Sequence, residues 1–186
     1  MSAAKRATGT AAPIDWPQAV HEVLKRSGVR FVAYVPDAGH KRLIELCEAD
    51  HSMRTVVLTA EEEGVGLAAG AWLGGEKSVL LMQSSGVGNI VNSLGMIREC
   101  RFPLLMLITM RGEFGEFNPW QVPMGQATAG VLEAMGAVVN RIEAPDEAAA
   151  VVDAAARLAG NSTTAVAVLI SQRMIGIKRF QEQGNQ

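Results

Sequence analysis

The sequence has 186 residues, of which 48% are apolar and 19% are charged, a balance typical of one folded domain rather than a disordered chain. The net charge of −2 and the pI near 5.9 provide no excess of positive charge for binding nucleic acid or an anionic membrane surface. No apolar run approaches the roughly 20 residues that a membrane span needs. The two cysteines, Cys47 and Cys100, form no metal-binding or disulfide motif, so we expect a cytoplasmic protein.

The two ends of the chain are polar, and we predict that they are loose tails. Residues 1–13 contain a Lys-Arg pair but no apolar segment of the kind found in signal peptides, and residues 178–186 are mostly polar. No linker or internal repeat divides the chain between them. We therefore predict one domain over residues 14–177.

Six strand-like apolar segments alternate with helix-like segments along this domain. Residues 16–27, 40–49 and 145–158 carry apolar side chains at helical spacing or residues typical of a helix start. Several strand-like segments are apolar throughout, as in strands that are covered on both faces. We therefore predict an α/β fold, a doubly wound six-stranded and mainly parallel sheet with helices on both faces. The predicted strands are residues 30–35, 54–59, 78–82, 103–109, 137–142 and 165–170.

The loops after the strands are the candidate sites, because ligands of such sheets bind beyond the carboxyl ends of the strands. After the first strand, Asp37 either caps the next helix or faces a substrate. After the second, Glu61, Glu62 and Glu63 open a helix. They either complement the helix dipole, or one of them, enclosed by a partner, exchanges a proton with a bound base. The glycines that follow resemble a loose dinucleotide-binding motif, but three carboxylates occupy the place that a phosphate would need.

The same helix continues with the small residues Gly66, Ala69 and Gly70, which would let another backbone approach closely. Such a face is hard to explain on the surface of a monomer. We therefore expect the chain to bind a partner, and to form a homo-oligomer when it is alone.

The loop after the third strand combines small residues with polar ones. Gly86 and Gly88 leave backbone amides open, and Gln83, Ser84, Ser85 and Asn89 could hydrogen-bond a ligand. The same pattern also fits an ordinary turn from a strand into a helix.

The segment after the fourth strand, residues 110–125, is long, polar and contains Gly and Pro, as functional loops often do. Arg111 could bind an anionic group through its planar guanidinium, or it could pair with Glu113 or Glu116 at the surface.

The histidines indicate neither a hydrolase nor a metal site. We expect His21, His40 and His51 on helical or exposed stretches. The sequence has no Gly-x-Ser-x-Gly motif and no metal-binding spacing of His and Cys.

Together these loops resemble a known family. Four motifs carry the resemblance in order between residues 35 and 128: EEEGVGLAAGAWLGG, LLMQSSGVGN, P-LLMLITMRG and QVPMGQAT. They are similar to the pyrimidine-binding domain of sulfopyruvate decarboxylases and of the related phosphonopyruvate decarboxylases. The resemblance implies the fold predicted above and a thiamine-diphosphate-dependent decarboxylase of 2-oxo acids.

The resemblance also implies roles for individual residues. In this family one glutamate at the start of the second-strand helix hydrogen-bonds the aminopyrimidine ring of thiamine diphosphate and activates the cofactor. Matching the small residues 67–70 places this glutamate at Glu61, and a shift of one residue would select Glu62. Cofactor binding is assigned to Glu61, Gln83, Ser85, Gly86, Gly88 and Asn89. The substrate end of the site is assigned to Asp37, Arg111, Gln121 and Met124, and no metal ligand is assigned.

One part of the family's machinery is missing from this sequence. The family binds the diphosphate and Mg²⁺ through a second domain with Gly-Asp-Gly and a downstream asparagine, and this chain contains no Gly-Asp-Gly. The resemblance therefore implies a separate β subunit that carries both. A split enzyme favours sulfopyruvate as the substrate, because phosphonopyruvate decarboxylases usually join both domains in one chain.

Other functions remain open from the sequence alone. The substrate could be phosphonopyruvate or another 2-oxo acid, or the chain could be a binding or regulatory protein without catalysis. Phe114, Phe117 and Trp120 depart from the family pattern. They indicate either a different 2-oxo acid or aromatic contacts with the partner.

Overall fold

The computed structural model describes residues 14–176, and both predicted tails lie outside the described residues. The strands are β1 (Val29–Tyr34), β2 (Arg54–Val57), β3 (Lys77–Gln83), β4 (Leu104–Thr109), β5 (Val138–Ile142) and β6 (Ala165–Ile170). They form one sheet in the spatial order β2-β1-β3-β4-β6-β5, with five parallel pairings. The predicted fold class is confirmed.

Helices cover both faces of the sheet, and each face has its own buried apolar core. One core contains side chains of α1 (Trp16–Arg26), α2 (Lys41–Ala49) and α7 (Ala148–Ser162), with α8 (Gln172–Ile175) at its edge. The other contains side chains of α3 (Glu61–Leu73), α4 (Val87–Ile90), α5 (Leu94–Cys100) and α6 (Val122–Ala134). Strands β4 and β6 are buried along their whole length, which explains why their sequences are apolar without alternation. None of the described helices is long and apolar enough to cross a membrane.

The chain changes direction across the sheet between β1 and β3. It runs from β1 outward to β2 and returns to β3 on the other side of β1. Doubly wound sheets bind ligands in the crevice at such a point. The segments after β1, β3 and β4 all emerge at this edge.

Several predicted boundaries are wrong; α7, for example, begins at Ala148 and ends at Ser162 instead of spanning residues 145–158. β2 ends at Val57 instead of residue 59, because the Thr59 amide donates a hydrogen bond to the Glu63 carboxylate of α3 (2.9 Å). The predicted loop at residues 110–125 ends earlier, because Pro119–Gln121 forms a 3-10 turn and α6 begins at Val122. The proline at position 123 fits the first turn of a helix, where a backbone donor is not needed.

Candidate active site

The site forms at the carboxyl ends of β1, β3 and β4. Gln83 is the last residue of β3, and Arg111 lies two residues beyond β4. Glu61 is the first residue of α3, which packs against β3. The candidate residues from separate loops are therefore brought to one edge of the sheet, as the parallel topology predicts.

Glu61 and Glu62 lie in different environments although they are adjacent in the sequence. Glu61 is 6% exposed, whereas Glu62 and Glu63 are exposed. Asn89 Nδ2 donates a hydrogen bond of 2.7 Å to Glu61 Oε2. The structure therefore encloses Glu61 and leaves Glu62 in solvent, a distinction that the sequence left open.

Gly86 provides the space in which the Glu61 carboxylate lies. A Cβ added at Gly86 would lie 2.5 Å from Cδ and 2.7 Å from Cγ of Glu61, and nearer still to its Oε1. The backbone φ of Gly86 is −68°, which any residue can adopt, so the requirement here is space and not conformation. At Gly88 an added Cβ would meet only Met124 Sδ, at 3.8 Å, which shows that Met124 of α6 lies beside this loop.

Ser84, which the family resemblance does not select, links two of the loops. It is fully buried, and its Oγ accepts a hydrogen bond of 3.0 Å from the Arg111 amide. The neighbouring Ser85 is half-buried. In the sequence, nothing distinguishes Ser84 from the other small polar residues of this loop.

Asp37 belongs to a buried polar cluster and does not cap α2. The N-cap of α2 is His40, which makes no side-chain capping bond. The Thr109 hydroxyl donates to Asp37 Oδ2, and His40 Nδ1 lies 3.4 Å from the same oxygen. Burial opposes the ionisation of Asp37, but the contacts with His40, Thr109 and the Gly39 amide outweigh it and lower the pKa of Asp37 to about 2.

His21 lies in α1 and His40 at the N-cap of α2, as expected, but both side chains are buried. His40 is completely buried beside Asp37, and His21 is 8% exposed, with its Nε2 3.2 Å from Asp50. Their helical positions were correct, but helical spacing alone did not identify the carboxylate that each one would contact across an element boundary.

Arg111 is paired with Glu116, and this pair is half-buried instead of lying at the surface. Arg111 Nε and Nη2 donate to the two oxygens of Glu116 at 2.7 and 2.6 Å. The Arg111 contact, helped by the amides of Gly112 and Asn118, outweighs the effect of burial and lowers the pKa of Glu116 to about 2. Glu113, the other partner considered, pairs with Arg141 at 2.7 Å.

Two glutamine side chains carry unsatisfied oxygen atoms at this edge. Gln83 Oε1 and Gln121 Oε1 are buried and have no hydrogen-bond partner among residues 14–176. A buried acceptor without a partner is costly, and such atoms in a native protein call for a ligand, water or partner group. Both residues were candidate ligand contacts from the sequence.

The chain alone encloses very little space at the site. Asp37, Thr109, Arg111 and Phe117 line a cavity of about 30 Å³, which is large enough for about one water molecule. A larger groove of about 480 Å³ lies at the opposite, amino-terminal edge of the sheet, beside Arg26 and Lys77 and away from these residues. The described residues contain no group of three or more His, Cys, Asp and Glu that could hold a metal ion. A further groove of about 440 Å³ beside Gly112 and Gly125 is open to solvent, so most of the space at the carboxyl edge of the sheet is not enclosed by the described residues.

The aromatic residues of the segment after β4 are turned outward. Trp120 is 84% exposed, Phe117 45% and Phe114 36%. The guanidinium of Arg173 lies 4.1 Å from the centre of the Phe114 ring, and that of Arg111 lies 5.7 Å from the Phe117 ring. Among residues 14–176, these three aromatic side chains belong to neither of the two apolar cores.

Known proteins are similar to this chain in sequence over most of its length. Residues 15–115 match the family model of the thiamine pyrophosphate enzyme N-terminal TPP-binding domain. The α subunit of sulfopyruvate decarboxylase from Methanococcus maripaludis is 38% identical over 154 residues, which are 82% of this chain and 92% of that subunit. The α subunit from Methanothermobacter thermautotrophicus is 35% identical over 158 residues, 84% of this chain and 96% of that subunit.

More distant relatives match only part of their length. Phosphonopyruvate decarboxylase from Streptomyces viridochromogenes is 37% identical over 108 residues, 57% of this chain but 27% of that enzyme. The solved structure of 2-oxoglutarate:ferredoxin oxidoreductase from Magnetococcus marinus superposes with a TM-score of 0.71 over 91% of this chain and 34% of that one. At 17% identity this likeness shows a shared fold. The chain belongs to the thiamine pyrophosphate enzymes and, within them, to the family of sulfopyruvate decarboxylase α subunits.

Proposed function

We propose that this chain is the pyrimidine-binding α subunit of a split thiamine-diphosphate-dependent decarboxylase that converts sulfopyruvate into sulfoacetaldehyde and CO2. The proposal rests on the enclosed carboxylate of Glu61 at the carboxyl edge of the sheet. This carboxylate accepts a hydrogen bond from Asn89 and packs against Gly86. A carboxylate held in this way is suited to hold or pass one proton at a defined atom.

The residues of this edge fit the pyrimidine end of thiamine diphosphate. Glu61 would bind the ring nitrogen, and Asn89 fixes the carboxylate by bonding its Oε2. The buried, unsatisfied Oε1 of Gln83 is an acceptor suited to the amino group of the ring. Ser85, Gly86 and Gly88 complete the wall of this half of the site. When bound, the cofactor supplies a nucleophilic carbon that adds to the ketone and accepts the electron pair released with CO2.

The substrate end is proposed to be formed by Asp37, Arg111, Gln121 and Met124. Arg111 provides positive charge for the anionic groups of the substrate, and its pairing with Glu116 fixes the plane of the guanidinium. Asp37, ionised and held by His40 and Thr109, is a negative group at the same edge. The cationic guanidinium of Arg111 and the ionised carboxylate of Asp37, held at fixed positions, favour one orientation of a 2-oxo acid.

Sulfopyruvate is favoured over phosphonopyruvate because the relatives that this chain matches over nearly their whole length are sulfopyruvate decarboxylase α subunits, although a longer sulfopyruvate decarboxylase from Methanosarcina acetivorans is matched over only 30% of its length. The sulfopyruvate decarboxylase α subunits are matched over 92% and 96% of their length, and the phosphonopyruvate decarboxylase over 27%. Arginine binds sulfonate and phosphonate alike, so the site geometry gives no preference of its own.

A second subunit is proposed to bind the diphosphate and Mg²⁺ through Gly-Asp-Gly and a downstream asparagine. The surface of α3 supports the existence of a partner. Cβ atoms added at Gly66 and Gly70 would meet no atom within 4 Å, and Leu73 is 87% exposed. A helix whose exposed face is glycine and leucine is suited to close contact with another backbone. Without that subunit we expect the chain to form a homo-oligomer, and the two free cysteines suit a cytoplasmic location.

The test is a pair of matched substitutions assayed in the complex with the β subunit captured from the native extract. Glu61→Gln keeps size and polarity but removes the proton-carrying carboxylate. We expect it to lower turnover of sulfopyruvate by about 10²–10⁴-fold with little change in folding. Glu62→Gln, one residue away and exposed, is expected to behave as wild type.

The outcomes separate the proposed functions. Full activity of Glu61→Gln, or loss of activity in Glu62→Gln, would refute the assignment of Glu61. A native complex without a Gly-Asp-Gly subunit, or one that turns over no 2-oxo acid, would instead favour a binding or regulatory role.

A further inference from the structure

A glutamine that follows β6, the strand next to β4, holds the segment that carries Arg111. Gln172 begins α8 directly after β6 and is only 4% exposed. Its Oε1 accepts hydrogen bonds from the amides of Glu113 and Phe114, each at 2.9 Å. Its Nε2 donates to Glu116 Oε2 at 3.0 Å. One side chain thus satisfies three polar groups of a distant segment.

Glu116 transmits this restraint to Arg111. Besides Gln172, its carboxylate accepts two bonds from the Arg111 guanidinium and one each from the amides of Gly112 (3.1 Å) and Asn118 (3.0 Å). With both oxygens engaged, the carboxylate cannot rotate without losing several bonds. The plane of the bidentate guanidinium is therefore set by the position of Glu116.

Gln172 also lies at the substrate end itself. It lines the same small cavity as Asp37, Thr109 and Arg111. Neither the polar C-terminal stretch of the sequence nor the family motifs single it out. Its partners come from β4's loop, so only the pairing of β4 with β6 brings them together.

We propose that Gln172 is a positioning residue for the substrate: by holding Glu116 and the backbone at residues 113–114, it orients the Arg111 guanidinium toward the anionic group of the 2-oxo acid. The inference rests on the proposed function, in which Arg111 binds that group. A purely structural role for Gln172 would affect folding and turnover without a selective effect on substrate binding.

Two substitutions separate these roles. Gln172→Leu removes all three hydrogen bonds. Gln172→Glu keeps an acceptor for the amides of Glu113 and Phe114 but places a second carboxylate against Glu116. The matched control is Gln18→Leu on α1, away from the segment that carries Arg111, where the side-chain amide donates to Glu22 at the surface.

The kinetic measurement uses each variant in complex with the β subunit. We expect both Gln172 variants to raise KM for sulfopyruvate by about tenfold or more, as for the loss of one hydrogen bond to a charged group. The change in kcat is expected to stay within about threefold, because the lost interaction orients the bound substrate before the reaction. The control is expected to match wild type.

Hydrogen exchange on the isolated full chain provides a second readout that needs no substrate. The amides of Glu113 and Phe114 are expected to exchange faster in Gln172→Leu, and to remain protected in Gln172→Glu. Unchanged exchange in Gln172→Leu overturns the proposal, and so does faster exchange with an unchanged KM. Equal losses in kcat and in substrate binding would also overturn it.

The two proposals fail in different ways. Absence of turnover in the wild-type complex and in the Gln18→Leu control would refute the proposed function. Normal turnover in both, with an unaltered KM in the Gln172 variants, would refute only the role of Gln172.

Discussion

The space at Gly86 is the most sharply defined requirement of the site, and Gly86→Ala tests it. The added Cβ would lie 2.5–2.7 Å from two carbons of the Glu61 side chain, closer than real Cβ atoms approach other atoms. The backbone at Gly86 needs no positive φ, so strain of the main chain does not contribute. The Glu61 carboxylate therefore has to move, and its 2.7 Å bond with Asn89 lengthens or breaks.

The magnitude follows from two effects of one displacement. Insertion of a methyl group into a packed site costs about 1–3 kcal/mol, and the loss of a hydrogen bond to a charged group costs about 1.5–3 kcal/mol. Because one movement of the side chain causes both, the costs do not add fully, and we expect a loss of about 2–4 kcal/mol in the free energy of unfolding.

Urea denaturation of the full chain, followed by circular dichroism, measures this loss. Gly95→Ala in α5 is the control, since an added Cβ there meets no atom within 4 Å. In the complex, Gly86→Ala is also expected to lose most of its activity, because the carboxylate no longer lies where Asn89 holds it. Equal urea midpoints for the two variants would show that Glu61 has another place to lie, and full activity in Gly86→Ala would refute the need for its enclosure.

Two further predictions concern the ionised carboxylates. The pKa of Glu116 is lowered to about 2 from an ordinary 4.5, so its ionised form stabilises the fold fully above about pH 4.5, and this contribution disappears as the pH falls through 2. The difference in unfolding free energy between wild type and Glu116→Gln should therefore shrink from pH 5 to pH 2 in urea titrations, and a constant difference would contradict the assignment. His40→Leu is expected to raise the pKa of Asp37 above about 2, because burial of the carboxyl then lacks its strongest opposing contact. Carbon-13 NMR titration of the carboxyl measures it, and an unchanged pKa would show that His40 does not act on Asp37.

The sequence predicted the framework of the fold because the strands are strongly apolar and separated by helices. β6 was predicted with its observed bounds, and β1 and β3 within one residue at each end. The start of α6 at Val122 and the division of the segment after β3 into α4 and α5 are harder to predict from the sequence. They depend on contacts between elements, such as that of Gly125 in α6, where an added Cβ would overlap the Arg111 carbonyl oxygen. Local propensity carries no information about such an approach.

The candidate site divides in the same way. Residues in the loops after β1, β3 and β4 could be selected from sequence, because the topology of a parallel sheet brings those loops together. The contacts of Gln172, Ser84 and His40 could not be predicted. Gln172 and Ser84 bond residues that are distant in sequence, and the contact of His40 with Asp37 depends on how the chain turns between β1 and α2.

The polar groups of this edge fall into two classes, those with a hydrogen-bond partner among the described residues and those without one. Asp37, Arg111 and Glu116 find partners within the chain, and their satisfied contacts keep the loops in place. Gln83 Oε1 and Gln121 Oε1 find none among residues 14–176 and remain a cost to the folded chain. A polar atom that destabilises the isolated subunit is retained where a bound molecule later satisfies it, which is the usual relation between stability and function at a binding site. We therefore expect the partnered groups to maintain the shape of the site and the unpartnered oxygens to be the groups through which a bound molecule gains affinity.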